Sequence, residues 1–107
     1  MPTRIHLIEH LGHMKVIDKE KAEWESGWWA VAPDTAAKLV GGHIYFHKAQ
    51  AKLSFFGGVI LSYRIETQGE WPGRIIFKFR TGQEFKGVGA GITGWGMEKK
   101  IVLESNS

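Results

Sequence analysis

Five histidines are the first residues in this chain that invite chemistry. His6, His10 and His13 stand at i, i+4 and i+7, so on a helix they would share one face, as metal ligands do. A zinc-peptidase helix also needs the carboxylate of HExxH, which is absent, and Gly12 weakens a helix at this point. His43 and His47 lie in an alternating, strand-like stretch. Four residues at about 3.3 Å rise would hold them roughly 13 Å apart, too far to share an ion. The expectation is surface histidines and no metal or other cofactor. The chain has no cysteine, which excludes disulfides, thiolate metal sites and a cysteine nucleophile.

Other catalytic arrangements fare no better. Ser54 and Ser62 carry no GxSxG elbow, and they read as a loop and a strand residue. Gly87-Val88-Gly89-Ala90-Gly91 has the look of a nucleotide loop but lacks GxxxxGK[ST] and does not lead from a strand into a helix. Glu66 and Glu70 flank a turn, while Glu20, Glu23 and Glu25 sit in a charged run. Neither set provides the opposed environments that an acid/base pair needs. No motif points to an enzyme, although residues converging from distant positions would leave no such trace.

The aromatic residues say more. Six Phe, five Trp and two Tyr are present. Phe46, Phe77 and Phe79 fall on alternating apolar faces and read as core. Trp28, Trp29, Phe55, Phe56, Trp71 and Trp95 stand at segment ends, where rings can stack on a planar ligand or enclose a cation. The expected ligand site is Trp29, Phe55 and Phe56 with Tyr45 and Trp95, and Gly57-Gly58 would let the backbone approach the guest. Lys48, Lys52, Arg64, Arg74, Lys78 and Arg80 are the expected phosphate contacts.

These residues need elements to hold them. His43–His47 alternates, with Ile44 and Phe46 on one side and His43, Tyr45 and His47 on the other. Val59–Ile65 is the strongest strand, and Arg74–Arg80 the next, with Ile75, Phe77 and Phe79 facing one way. These three are expected to be neighbouring antiparallel strands. Pro33 to Val40 reads as a short helix, opened by proline and ended by Gly41-Gly42. Arg4 to Leu11 fits a strand or a short helix. Lys15 to Glu25 is so highly charged that it reads as loop or frayed helix. Lys100 to Glu104 looks like a closing strand. The fold class is α+β, mainly β, with a curved antiparallel sheet or small barrel and one short inserted helix. Ile44, Phe46, Ile60, Ile75, Phe77 and Phe79 should fill its core.

At 107 residues with 43% hydrophobic content, residues 1–107 read as one domain with one core. Residues 1–15 lack the apolar segment of a signal peptide, and no apolar run approaches the roughly 20 residues that span a bilayer. A cytoplasmic protein that does not contact membranes is the expectation. Net charge is +3 and the pI about 9.3. Residues 1–34 carry four basic and six acidic side chains, whereas residues 35–100 carry ten and four. That basic part attracts phosphate.

The text DTAAKLVGGHIYFHKAQAKLSFFGGVILSYRIE resembles part of a PUA-like domain, especially the EVE and YTH branch. It shows a helix, a glycine-marked turn, an aromatic-bearing strand, a loop and a small-residue lead into a long strand. The resemblance covers about a third of the chain. It implies a PUA-like barrel that binds RNA or modified bases, often in an aromatic cage. Three function classes follow. The first is a non-catalytic module for DNA or RNA that reads a modified or extruded base. The second is a pocket for a small organic ligand, cationic or neutral, and the third a homo-oligomeric protein, such as a homodimer, or a partner-binding protein with exposed aromatic anchors.

Overall fold

In the computed structural model, which describes residues 3–9, 12, 14–91, 94–96 and 99–103, the period-two segments form the middle of a sheet. In chain order the strands are β1 (Arg4–Ile8), β2 (Met14–Asp18), β3 (Glu23–Trp29), β4 (His43–His47), β5 (Phe56–Ile65), β6 (Ile75–Thr81) and β7 (Lys99–Val102). A helix α1 (Pro33–Leu39) precedes β4, and one 3-10 turn (Gln83–Phe85) follows β6. The strand order is β2-β3-β6-β5-β4-β1-β7. β4, β5 and β6 pair antiparallel, as their alternation implies. β1 instead pairs parallel to β4, so the sheet is mixed rather than antiparallel. It is also open: β2 and β7 are its two edges, and no barrel closes.

Register divides the side chains between two faces. The inner face carries Ile5, Leu7, Ile44, Phe46, Ile60, Ile75, Phe77 and Phe79, all fully or almost fully buried. All six expected core residues are among them. The rest of that core comes from β1 and from Val31, Ala36 and Leu39 around α1. Helix α1 starts at Pro33, where a missing N–H costs nothing, with Asp34 in its first turn and Lys38 in its last. Gly41, in the left-handed region at φ 87°, turns the chain out of the helix and into β4.

The charged run at 15–25 is a hairpin, not a loop or frayed helix. Met14, Val16, Trp24 and Ser26 share the inner face, while Lys15 lies opposite Glu25 on the outer face. One face is half-covered and the other wet, so dense charge masks a valid period of two. A bulge at Gly27 and Trp28 sets these two residues of β3 against Ile76 of β6, turning Trp28 outward and Trp29 inward. β1 ends at Ile8, short of the expected Leu11, which lies outside the described residues, as do His10, His13 and Glu104. No helix among the described residues is long and apolar enough to cross a membrane.

Candidate ligand-binding face

The outer face of the sheet holds two side-chain assemblies. The first lies where β2, β3, β5 and β6 run together. Arg64 projects from β5 and meets Glu25 of β3 as a two-bonded fork: Nε donates to Oε2 at 3.2 Å and Nη2 to Oε1 at 3.1 Å. The carboxylate holds the guanidinium pKa above its usual value. Beside the fork, the Trp28 indole is half-buried. Its Nε1–H donates to Glu66 Oε2 at 2.9 Å. The other oxygen of Glu66 accepts the backbone N–H groups of Thr67 and Gln68. Those bonds, that from Trp28 first, keep the Glu66 carboxyl below its ordinary pKa. One carboxylate thus fixes both the indole and the start of the β5–β6 loop. That loop lays Trp71 against Trp28, with ring centroids 5.2 Å apart.

Between these groups is a cavity of about 220 Å³, lined chiefly by Met14, Lys15, Glu25, Trp28, Arg64 and Ile76. It is smaller than the roughly 300–1,000 Å³ of drug-sized sites, so it fits one small ring system rather than an extended molecule. An aromatic wall, the Ile76 side chain and a donor–acceptor fork suit a planar, hydrogen-bonding guest. Two cations, Lys15 and Arg64, stand against one carboxylate, Glu25, on the lining.

The second assembly covers β1 and β4. His6 and His47 are both buried, which corrects the expectation of surface histidines. Strand alternation sends them to the outer face, but the 48–54 loop, Phe85 and Trp95 lie over that face. His6 Nδ1 and His47 Nε2 are 2.9 Å apart, and His47 Nδ1 is 2.8 Å from the Lys52 carbonyl. A carbonyl only accepts, so in the neutral pair His47 Nδ1–H donates to Lys52 and His6 Nδ1–H donates to His47 Nε2. Burial first, then the neighbouring His47, Arg4 and Lys100, lowers the His6 pKa from 6.5 to about 4. Burial also lowers the pKa of His47 and of His43. Tyr45 stacks on His6 at 4.9 Å, and Trp95 closes on both rings. Ser54 fastens the cover: its Oγ donates to the Phe85 carbonyl at 2.7 Å and accepts from Val88 N–H at 2.9 Å. No group of three or more His, Asp or Glu among the described residues is placed to hold a metal.

The five expected ligand rings are divided by the sheet. Trp29 and Phe56 lie inside with Phe46, Phe56 standing edge-on to Trp24 at 5.0 Å. Tyr45 and Trp95 lie outside with the histidines. Phe55 packs at the core margin with Lys48 5.8 Å over its ring. Gly57 and Gly58 make room for the protein itself. A Cβ on Gly57 would strike the Ile44 carbonyl and stand 3.1 Å from Phe85 Cβ, and one on Gly58 would strike the Arg80 carbonyl and stand 2.8 Å from the Phe79 ring.

Of the expected phosphate contacts, Arg64, Lys78 and Arg80 share the outer face. Lys78 pairs with Glu23 at 3.2 Å, and Arg80 is exposed. Arg74 is exposed at the end of the β5–β6 loop. Lys48 and Lys52 are exposed at the opposite end of the sheet, beyond β4. The residues that sequence reasoning left out of the site are Trp28, Glu25, Lys15 and Glu66. Adjacent strand residues face opposite ways, so only one of Trp28 and Trp29 can share a face with Glu25 and Arg64. The bulge decides which. No protein-family model matches the chain, and no curated protein and no solved structure matches it either.

Proposed function

We propose that the protein is a non-catalytic binding module for single-stranded nucleic acid, taking one base in the Trp28–Arg64 cavity and phosphates along the basic outer face. The observation that carries the reading is the Trp28 indole, pinned by Glu66, forming the wall of the same cavity as the Arg64–Glu25 fork. A nucleobase has a π-face for the indole and an edge with both donors and acceptors for the fork. Lys15 at the cavity and Arg80 and Arg74 beyond it supply charge for the backbone. The same general activity is implied by the PUA-like resemblance, though through different rings. The surplus of cations on the lining disfavours a cationic guest.

The test is a titration with single-stranded oligonucleotides at two salt concentrations, using the wild type, Trp28→Ala and Glu66→Gln. Stacking is worth roughly 1–3 kcal/mol per base, so Trp28→Ala should weaken binding about 5- to 150-fold. Glu66→Gln keeps the ring but loosens its anchor, and should weaken binding less. Affinity should fall steeply with salt. Equal binding by all three folded proteins would leave only diffuse charge attraction and overturn the base site.

A further inference from the structure

Arg4 stands apart from every other cation in the sheet. Its Nη1 is buried and has no hydrogen-bond partner among the described residues. A buried charged donor left unbonded is costly, which is why such groups accompany an anion. Register places Arg4 directly opposite His43 on the parallel β1–β4 ladder, both on the outer face. Neighbouring strands lie about 4.8 Å apart, so the two side chains rise side by side. His43 Nδ1 is 3.0 Å from the Tyr45 hydroxyl. Only one proton occupies that contact when His43 is neutral. Either tautomer therefore leaves a second proton uncommitted by the pair, on His43 Nε2 or on the Tyr45 oxygen. The edge of the Phe85 ring system walls His43 at 5.0 Å.

We propose that Arg4 and His43, with Tyr45, form a binding site for a dianionic phosphate group. The guanidinium presents a fork to two oxygens, and the His43–Tyr45 couple presents its proton to a third. A tetrahedral ion satisfies both at once, whereas a flat carboxylate would spend both oxygens on the fork. Lys100, in the next row of the same face opposite His6, adds charge nearby while its ammonium donates to the Ala90 carbonyl. Glu84 is the carboxylate that acts on His43, and it makes no ion pair with Arg4 among the described residues. The site belongs to β1 and β4 and does not depend on the base-binding reading of the Trp28 cavity.

The phosphate is either a free ion or the end of a nucleotide chain. From Arg4 the register runs His43, Val59, Arg80 across adjoining strands, so a chain anchored by its terminal phosphate has a basic landing point roughly 14 Å away. Calorimetric titration near pH 7.5, where phosphate is mostly the dianion, with inorganic phosphate and with 5′-phosphorylated and 5′-hydroxyl oligothymidylate, distinguishes the two. Binding should saturate, and Arg4→Gln should weaken it about 10- to 100-fold, while Lys38→Gln, which removes an exposed charge on α1, should leave it unchanged. Preference for the 5′-phosphorylated strand over the hydroxyl strand and over inorganic phosphate assigns a nucleotide end. Binding of inorganic phosphate with no such preference assigns the free ion. The second readout needs only the wild type: the anion neutralises Arg4, so the His43 imidazole should shift in NMR and titrate at higher pH with phosphate than without. No saturation at millimolar phosphate, undiminished binding by folded Arg4→Gln, or a His43 signal indifferent to phosphate would each overturn the site.

Discussion

A neutral His47 satisfies both ring nitrogens in one way only, because the Lys52 carbonyl cannot donate. That single constraint fixes the tautomer of His6 as well, and it makes the pair intolerant of protons. A proton on His47 Nε2 would face the His6 N–H at 2.9 Å, and one on His6 Nε2 would bury a charge beside Arg4 and Lys100. The consequence for stability follows by linkage. Folding holds the His6 pKa near 4, against 6.5 when unfolded, so between those values the unfolded chain binds the extra proton. This contribution is complete above pH 6.5 and is lost as pH falls toward 4, amounting to roughly 3 kcal/mol at one unit per 1.4 kcal/mol. The downward shifts of His47 and His43 act in the same direction. Urea midpoints measured from pH 7.5 down to 4.5 should therefore decline. A His6→Asn variant, less stable at neutral pH, should show a shallower decline. A wild-type midpoint constant across that window would mean that His6 is not held neutral.

Among the elements, the turn after β6 depends on a glycine to lie flat. Gly57 sits opposite Tyr45 on the outer face, and the absence of its Cβ lets Phe85 descend onto Tyr45 and His43. Ser54 then ties the turn to the loop after β4. Ser54→Ala removes both bonds and should loosen the cover over the histidines. Hydrogen exchange should quicken at position 54, Gly87 and Val88 while the inner-face strands keep their protection. Uniform loss of protection, or none, would contradict a cover that moves independently of the core. Gly57-Gly58 were expected to let the backbone approach a ligand; the groups that approach them come from the chain itself. The β2–β3 hairpin was harder to read. Its inner residues are Met, Val, Trp and Ser, a weak apolar stripe, and charged Lys15, Asp18, Glu23 and Glu25 lie opposite one another on the outer face.

At the scale of the molecule, the legible part was the part with a clean period of two. β4, β5 and β6 were placed within a few residues, and the six positions expected as core all face inward, whereas Phe56, expected at the ligand site, and Tyr63 face inward as well. β1 was ambiguous because both its neighbours are distant in sequence, so no local turn reports its direction. The division of the aromatic rings between two faces was also invisible, since composition counts rings but not the side of the sheet they occupy. The core that results is continuous from β3 to β1, with Phe77 and Phe79 at its centre and Phe79 packed on Phe46 and Phe56. Phe77→Ala should cost about 3–5 kcal/mol, a large share of the 5–15 kcal/mol typical of a domain. Denaturant unfolding measures this directly, and a loss below about 1 kcal/mol would contradict a rigidly packed centre.

The position of β1 has a consequence for how the chain assembles during synthesis. β1 lies between β4 and β7, both made after it, and β7 is the last strand of the sheet in chain order. Early hairpins between β4, β5 and β6 form from local contacts, but β1 must wait for partners far along the chain, and loop closure over that distance is slow. A nascent chain halted before residue 99 would expose the free edge of β1, making it the stage most prone to joining another chain.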